Sequence, residues 1–475
     1  MNNKNFYITT TSSYVNADPH IGFALELIQA DVIARFKKQT GYDVAFGYGT
    51  DEHGLKIYKK ALEAKKSPQE YCDEKVKKFL GLKKLLNLSS THFMRSTDPF
   101  HVKAAQEFWK RCYASGDIYK KNYRIKYCYG CELEKTDSEL ENGVCPIHPN
   151  LKIESYEEEN YFFRFSKYRE RLLEFYKKNG NFVLPRHRLK EIETFVKKGL
   201  QDFSISRIKS KMPWGVDVPN DPDHIMYVWF DALVYYISTL GWPSKLTQYQ
   251  KFWPGVQVAG KDNLRQQSAM WQAMLMSAVL PNTKQVFIHG FITSEGKKMS
   301  KSLGNVIEPV GLVEQYGTDA VRYYLLKEIP TIEDGDFSHS RMREIYNADL
   351  ANELGNLISR VEKLYKIHQI STASIKPHLL ETLKVAGYEV HLNNFEFNIA
   401  LEEIWKEIKR LNYEINNKEP WNKSKDEVEL SLKSWIHYIR NIAYSLQPFL
   451  PETSEKILKY FPKKSISPLF PRLSS

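Results

Sequence analysis

The chain has 475 residues, 42% of them hydrophobic and 26% charged, with a formal net charge of +11. That length corresponds to about three domains with room for a large core. No apolar run approaches the ~20 residues of a membrane span, and the opening MNNKNFYITT lacks the apolar core of a secretory signal, so a cytosolic protein is expected. The basic balance favours a polyanionic partner such as nucleic acid, although lysines that only solvate helix faces would give the same count.

Residues 6–10 are β-prone. Asp18 and Pro19 read as the N-cap and first residue of a helix, and Ile21, Leu25, Ile28, Val32 and Phe36 then recur at helical spacing. Strand, loop and helix in that order open a doubly wound α/β domain. Residues 44–46 predict a second strand, running into Gly49-Thr50-Asp51-Glu52-His53-Gly54. From about 119 to 150 the pattern turns irregular, which marks an insertion between two halves of the α/β domain. Residues 225–230 and 255–259 resume the strand pattern, and 286–288 form another strand leading into a Gly- and Lys-rich loop. Beyond about 345 the spacing is helical, with Leu350, Leu354, Leu357 and Val361 on one face. Ile404, Ile408 and Leu411 form a second face and Trp435, Ile439, Ile442 and Leu446 a third, as in a helix bundle.

Two stretches carry phosphate chemistry. Pro19-His20-Ile21-Gly22-Phe23 lies where a strand feeds a helix N-terminus, whose free N–H groups and dipole suit phosphate. His20 offers a donor, and Gly22 leaves room for a flat base against the backbone. Lys298-Met299-Ser300-Lys301-Ser302 sits on a loop that Gly296 can hinge. Two lysines there can clamp a triphosphate and stabilise charge on departing pyrophosphate. Singly, such segments are most often a packed first turn and a solvated loop; together across an α/β domain they are specific.

The insertion holds Cys128-x₂-Cys131 and Cys145-x₂-His148. In a cytosolic chain, close pairs across a short loop point to metal rather than disulfides. Three thiolates and an imidazole complete a closed, structural tetrahedral Zn²⁺ site. The alternative is a set of unliganded buried thiols.

The two phosphate motifs match the HIGH and KMSKS signatures, and the chain resembles the class I aminoacyl-tRNA synthetases. Tyr14-Val15-Asn16, the 49–54 segment, Tyr227-Val228-Trp229-Phe230-Asp231-Ala232 and Gly260-Lys261-Asp262 point to the methionyl branch. The resemblance runs from residue 6 into the C-terminal bundle. It implies a Rossmann-type parallel sheet with a zinc-knuckle insertion and a helical bundle. The implied division is a first Rossmann half at 1–115, a connective insertion at 116–224, a second Rossmann half at 225–290, a KMSKS stem-contact region at 291–345 and an anticodon-binding-like bundle at 346–475.

The resemblance also implies roles. His20, Gly22, Gly260, Asp262, His289, Lys298 and Lys301 would hold ATP with Mg²⁺, with His20, Lys298 and Lys301 catalytic. Asp51 would pair with the substrate ammonium and Arg207 would lie near the substrate. Tyr14, Trp229, Ala232, Tyr236 and Trp271 would enclose the amino-acid side chain. Asn356, Arg360 and Trp421 would read the anticodon of methionine tRNA, initiator and elongator, by edge contacts and stacking. The carboxylate would attack the α-phosphate without any covalent enzyme intermediate. A monomer is expected.

Several positions depart from the family pattern. Phe23 replaces the second His of HIGH, removing one donor. Ser12 and Asn263 stand where aliphatic residues are expected, and Gln267 where a His is expected. Methionine offers these groups almost nothing to bond, and a pocket built on hydrogen bonds rejects ligands that cannot make them. A second reading therefore accompanies methionine–tRNA ligation: adenylation of a smaller or more polar amino acid, with transfer to a small amine or hydroxylamine. A third, a non-catalytic tRNA-binding relative, is disfavoured by intact Asp51, Asp262, Lys298 and Lys301.

Overall fold

A computed structural model describes residues 4–130, 133–135, 140–299, 304–369, 385–462, 464–466 and 468–473. Cys131 and Lys301 lie outside the described residues, as does the rest of 300–303.

Strands β1 (Asn5–Tyr14), β2 (Asp43–Asp51) and β3 (His92–Arg95) come from the N-terminal part of the chain. An inserted segment follows, built on β4 (Ile118–Cys128) and β5 (Glu154–Phe163). Then β6 (Val183–Leu184), β7 (Val256–Gly260) and β8 (Gln285–His289) complete a six-stranded parallel sheet in the order β3-β2-β1-β7-β8-β6. The chain winds outward in opposite directions from β1 and β7, which pair through Ile8 and Val256. That reversal is where open α/β sheets bind ligands, beyond the carboxyl ends of the strands.

Helix α1 (Ile21–Gln39) follows β1. Its five periodic residues, from Ile21 to Phe36, are all buried, so the spacing predicted its packing face. The expected start was two residues early. His20 is the N-cap, while the carboxylate of Asp18 is taken by Lys75, at 2.9 Å, and by Lys78. A carboxylate drawn to two ammonium groups is not available to cap.

Two further expectations are corrected. The stretch from about 119 is irregular only in part, because β4 pairs antiparallel with β5 along its length, from Ile118 with Phe163 to Tyr127 with Glu154. Lysines, tyrosines and glutamates on both faces of this two-sided ribbon erase the alternation that marks a half-buried strand. Residues 225–230 are not one strand either. The strand Asp221–Met226 ends there, and α2 (Val228–Ser238) begins after the N-cap Tyr227. All of α2 except Trp229 is buried, so its apolar run could not be told from a buried strand by period.

The C-terminal region is helical, with α3 (Asn356–His368), α4 (Phe397–Lys418) and α5 (Lys425–Leu446). The three predicted apolar faces are buried. Arg322, fully buried, joins this bundle to the sheet layer. Its guanidinium lies 2.8 Å from Asp31 of α1 and donates to the carbonyls of Leu86, Pro448 and Phe449 at 3.0, 2.8 and 2.8 Å. No described helix is long and apolar enough to cross a membrane.

Candidate active site

A cavity of about 620 Å³ opens at the β1/β7 switch point, a size ordinary for small-ligand sites. It is lined by Ser12, Tyr14, His20, Gly22 and Phe23 from the β1–α1 region, and by Asp51 at the end of β2. Trp229, Ala232 and Tyr236 face it from α2. Gly260, Asp262 and Asn263 follow β7, and His289 ends β8. Thr293 and Met299 close the far side. The His20 turn and the segment of the lysine motif therefore border one space.

Each polar group there has a local cause. The Nδ1 of His20 accepts the Gly22 N–H at 3.1 Å, which leaves the Nε2 as the donor. Its surroundings in the cleft hold the imidazole below the ordinary value by desolvation, against the opposing charge of Glu26. Neutral His20 is thus an Nε2–H donor over the helix N-terminus. Gly22 leaves that ring its place: a Cβ would lie 2.9 Å from His20 Cε1 and push the ring aside. Phe23 packs on Phe79 with ring centroids 5.9 Å apart, so the final residue of the motif contributes packing and no hydrogen bond.

Asp51 is held at its strand end by its neighbours. Glu52, buried, receives both Arg95 Nε and Nη2 at 2.8 Å. His53 Nδ1 meets Asp231 Oδ2 at 2.6 Å, under the edge of Trp214. Only the aspartate of this run lines the cavity; the Glu and His clamp the backbone that presents it.

Sequence reasoning missed Glu26. This carboxylate faces the cavity from α1 and accepts from the Thr11 backbone N–H at 2.7 Å and its hydroxyl. It also lies 3.1 Å from His289 Nε2, while His289 Nδ1 lies 2.8 Å from the Gly290 carbonyl. Both ring nitrogens thus face acceptors, which only the imidazolium satisfies. Burial is the largest single effect and opposes that charge, but the hydrogen bond and charge of Glu26, the Gly290 carbonyl and the charge of Asp262 together outweigh it and raise the pKa. A charged residue inside the apolar stripe between Leu25 and Leu27 was the available signal.

Three expected pocket residues stand back from the lining. Gln267 is buried behind Tyr236, donating Nε2–H to its hydroxyl at 2.7 Å. Trp271, fully buried, stacks on Phe108 at 5.4 Å. Arg207 lies over Tyr227 at 4.3 Å and donates to Ser204 Oγ and the Ser206 carbonyl at 2.7 and 2.6 Å. Lys298 pairs with Thr293 in a short antiparallel hairpin turned at Gly296, φ +73°.

In the insertion, the donor atoms of Cys128, Cys145 and His148 lie within 4.8 Å of one another. A Cβ on Gly130 would meet the His148 ring at 2.3 Å, so the turn admits that imidazole only with glycine there. Two thiols and an imidazole gathered this closely fit a zinc ion. On the bundle surface, Arg360 lies 5.4 Å over the exposed Trp421 ring and donates to Asn416 Oδ1 at 2.7 Å. Asn356 is exposed one turn earlier on α3.

A doubly wound sheet with a cleft at its switch point, bordered by a His-capped helix and the hairpin that carries the lysine motif, is the architecture of a class I aminoacyl-tRNA synthetase, as the comparisons bear out. The family described as tRNA synthetases class I (M) matches residues 6–362. The methionine–tRNA ligase of Nostoc sp. (strain PCC 7120) is 44% identical, covering 96% of this chain and 89% of the relative. That of Thermotoga maritima is 40% identical, covering 96% and 75%. The structure of Mycobacterium tuberculosis methionyl-tRNA synthetase in complex with methionyl-adenylate superposes with a TM-score of 0.88 at 37% identity, over 96% of this chain and 93% of that one. The chain belongs to the methionyl-tRNA synthetase family of class I tRNA synthetases.

Proposed function

We propose that the chain activates methionine with ATP and transfers the methionyl group to methionine tRNA. The observation that carries this reading is the one cavity shared by the His20 turn, the ends of β7 and β8, and the Asp51–Trp229–Tyr236 pocket. A methionine carboxylate oxygen attacks the α-phosphorus, the bond to the β-phosphate oxygen breaks, and pyrophosphate leaves. Catalysis is then positioning and charge stabilisation.

In this reading Asp51 receives the substrate ammonium and Asp262 the ribose hydroxyls. His20 Nε2–H donates to phosphate beside the free N–H groups of α1. His289, held cationic by Glu26, adds positive charge at the nucleotide end. Lys298 and Lys301 clamp the triphosphate with Mg²⁺. Cys128, Cys145 and His148, with Cys131, hold a structural Zn²⁺ that shapes the 116–224 insertion over the acceptor end. Asn356, Arg360 and Trp421 meet the anticodon. The protein works as a cytosolic monomer on initiator and elongator tRNA.

The test is ATP–pyrophosphate exchange across the proteinogenic amino acids, followed by acyl transfer to methionine tRNA. Methionine-dependent exchange and charging are expected. Exchange with another amino acid and no charging would replace the reading.

A further inference from the structure

The lysine motif begins on a very short hairpin. Ile292–Ser294 and Lys297–Lys298 pair through Thr293 with Lys298 and Ser294 with Lys297. Both turn residues are left-handed, Glu295 at φ +51° and Gly296 at φ +73°, as a type I′ turn requires. Glycine adopts that backbone freely and glutamate does not. A two-stranded hairpin of this length is not stable by itself in water. A contact from outside therefore has to hold the backbone that carries Lys298.

Gly335–Phe337 supplies it. This strand pairs parallel with the other edge of Ile292–Ser294 and sets Asp336 opposite Thr293. Asp336 Oδ1 accepts the Thr293 hydroxyl at 2.6 Å and the Gly296 backbone N–H at 2.8 Å; the same hydroxyl lies 3.1 Å from the Gly335 carbonyl. The first contact fixes the residue opposite Lys298, and the second fixes the turn. Hydrogen bonds to an ionised acceptor are the stronger kind. Thr293 lines the cavity and Asp336 does not, so the carboxylate holds the cleft wall from behind. Its own strand is anchored at the nucleotide end. Asp334 Oδ2 accepts Lys261 Nζ at 2.7 Å, and its Oδ1 accepts the Phe291 N–H at 2.9 Å. The Gly335 N–H donates to the Phe291 carbonyl at 2.9 Å.

We propose that Asp336 is a positioning residue for adenylate formation: by holding Thr293 and Gly296 it fixes the hairpin from which the lysine motif serves the triphosphate. It acts through the backbone of Lys298 and not on the substrate. Groups that stabilise departing pyrophosphate matter more in the transition state than in the ground state. Loosening their hairpin therefore lowers kcat and leaves methionine binding in place. The inference rests on the amino-acid-activating reading.

The test is methionine-dependent ATP–pyrophosphate exchange by the full chain, for wild type, Asp336→Ala, Asp336→Asn, Thr293→Val and the Asp336→Ala/Thr293→Val double variant. Asp336→Ala should lower kcat about fivefold or more, the factor that one lost hydrogen bond represents, with KM for methionine within about twofold of wild type. General damage to the fold would move both constants together. Asp336→Asn keeps an acceptor oxygen in the same place, and its kcat should stay within about threefold of wild type. Thr293→Val removes the hydroxyl at nearly constant shape and should also lower kcat, which keeps the test open if Asp336→Ala folds poorly. The double variant should be no slower than Asp336→Ala by more than about twofold, because both changes cut one latch. The proposal is overturned if Asp336→Ala keeps more than about a fifth of the wild-type kcat, or if Asp336→Asn is as slow as Asp336→Ala. It is equally overturned if KM for methionine rises in step with the fall in kcat, or if the two single losses multiply. A wild type that exchanges with no amino acid would instead overturn the activating reading itself.

Discussion

Glu26 and His289 show how one residue sets the charge of another. The carboxylate lies 3.1 Å from the ring nitrogen, and both are buried. Because the folded pKa of His289 is raised, its stabilising contribution is fully present below the ordinary histidine value of about 6.5 and fades as pH rises through the raised value. Replacing Glu26 by Gln should cost about 1–3 kcal/mol of stability at mildly acidic pH. Denaturant titrations should show the gap between wild type and Glu26→Gln closing as pH rises; a gap independent of pH would contradict the imidazolium assignment. Gly22 makes a second prediction at this scale. Its missing Cβ accommodates the His20 ring 2.9 Å away. Gly22→Ala should therefore displace that ring and lower exchange at least tenfold, with stability changed by less than about 1 kcal/mol. Legibility in the sequence also divides here. His20, Gly22, Asp51 and Asp262 lie in local motifs and could be read. Glu26 stands out only as a charge inside an apolar stripe; its role could not be read, because its partner is 263 positions away. Gln267 was expected in the amino-acid pocket with Asn263, four residues earlier. It lies instead in a wider π turn over Gln266–Met270, buried behind Tyr236.

Elements are joined by a few buried polar contacts. Arg322 ties α1, the segment at Leu86 and the turn at Pro448–Phe449 into one joint. Removing it leaves the fully buried Asp31 carboxylate with the Ser89 N–H and hydroxyl and with Arg35 as its one remaining ion-pair partner among the described residues. Arg322→Met should cost about 3–5 kcal/mol, measured by urea unfolding, and a loss below 1 kcal/mol would show that the joint is dispensable. The knuckle makes a separate prediction. Purified protein should contain about one zinc per chain, and chelation should lower its melting temperature. Cys145→Ser should lose the metal and abolish the chelator effect. A metal-free wild type that melts unchanged in chelator would reduce the cluster to buried thiols. Periodicity predicted α1 and the bundle because each presents one apolar face. It read the start of α2 as strand because a helix buried nearly all round has no polar face to set its period.

Across the whole molecule, the cleft lies at the carboxyl ends of the sheet strands and the Arg360–Trp421 surface lies in the bundle, which Arg322 ties to the sheet layer. If RNA stacks on Trp421, Trp421→Ala should cost about 1–3 kcal/mol of tRNA binding. That would appear as a rise of about fivefold or more in the KM for tRNA while exchange, which needs no tRNA, changes less than twofold. Equal losses in both would place Trp421 in the fold rather than at the interface. The basic composition hinted at such a partner without locating it, since charge counts carry no geometry.

The most direct measurement is a single turnover without tRNA, with the enzyme mixed with methionine and Mg·ATP and the products analysed by mass spectrometry. About one equivalent of methionyl-adenylate should be retained per chain, with pyrophosphate released, and added methionine tRNA should discharge it. Absence of adenylate, or ATP cleavage that does not depend on the amino acid, would contradict the account.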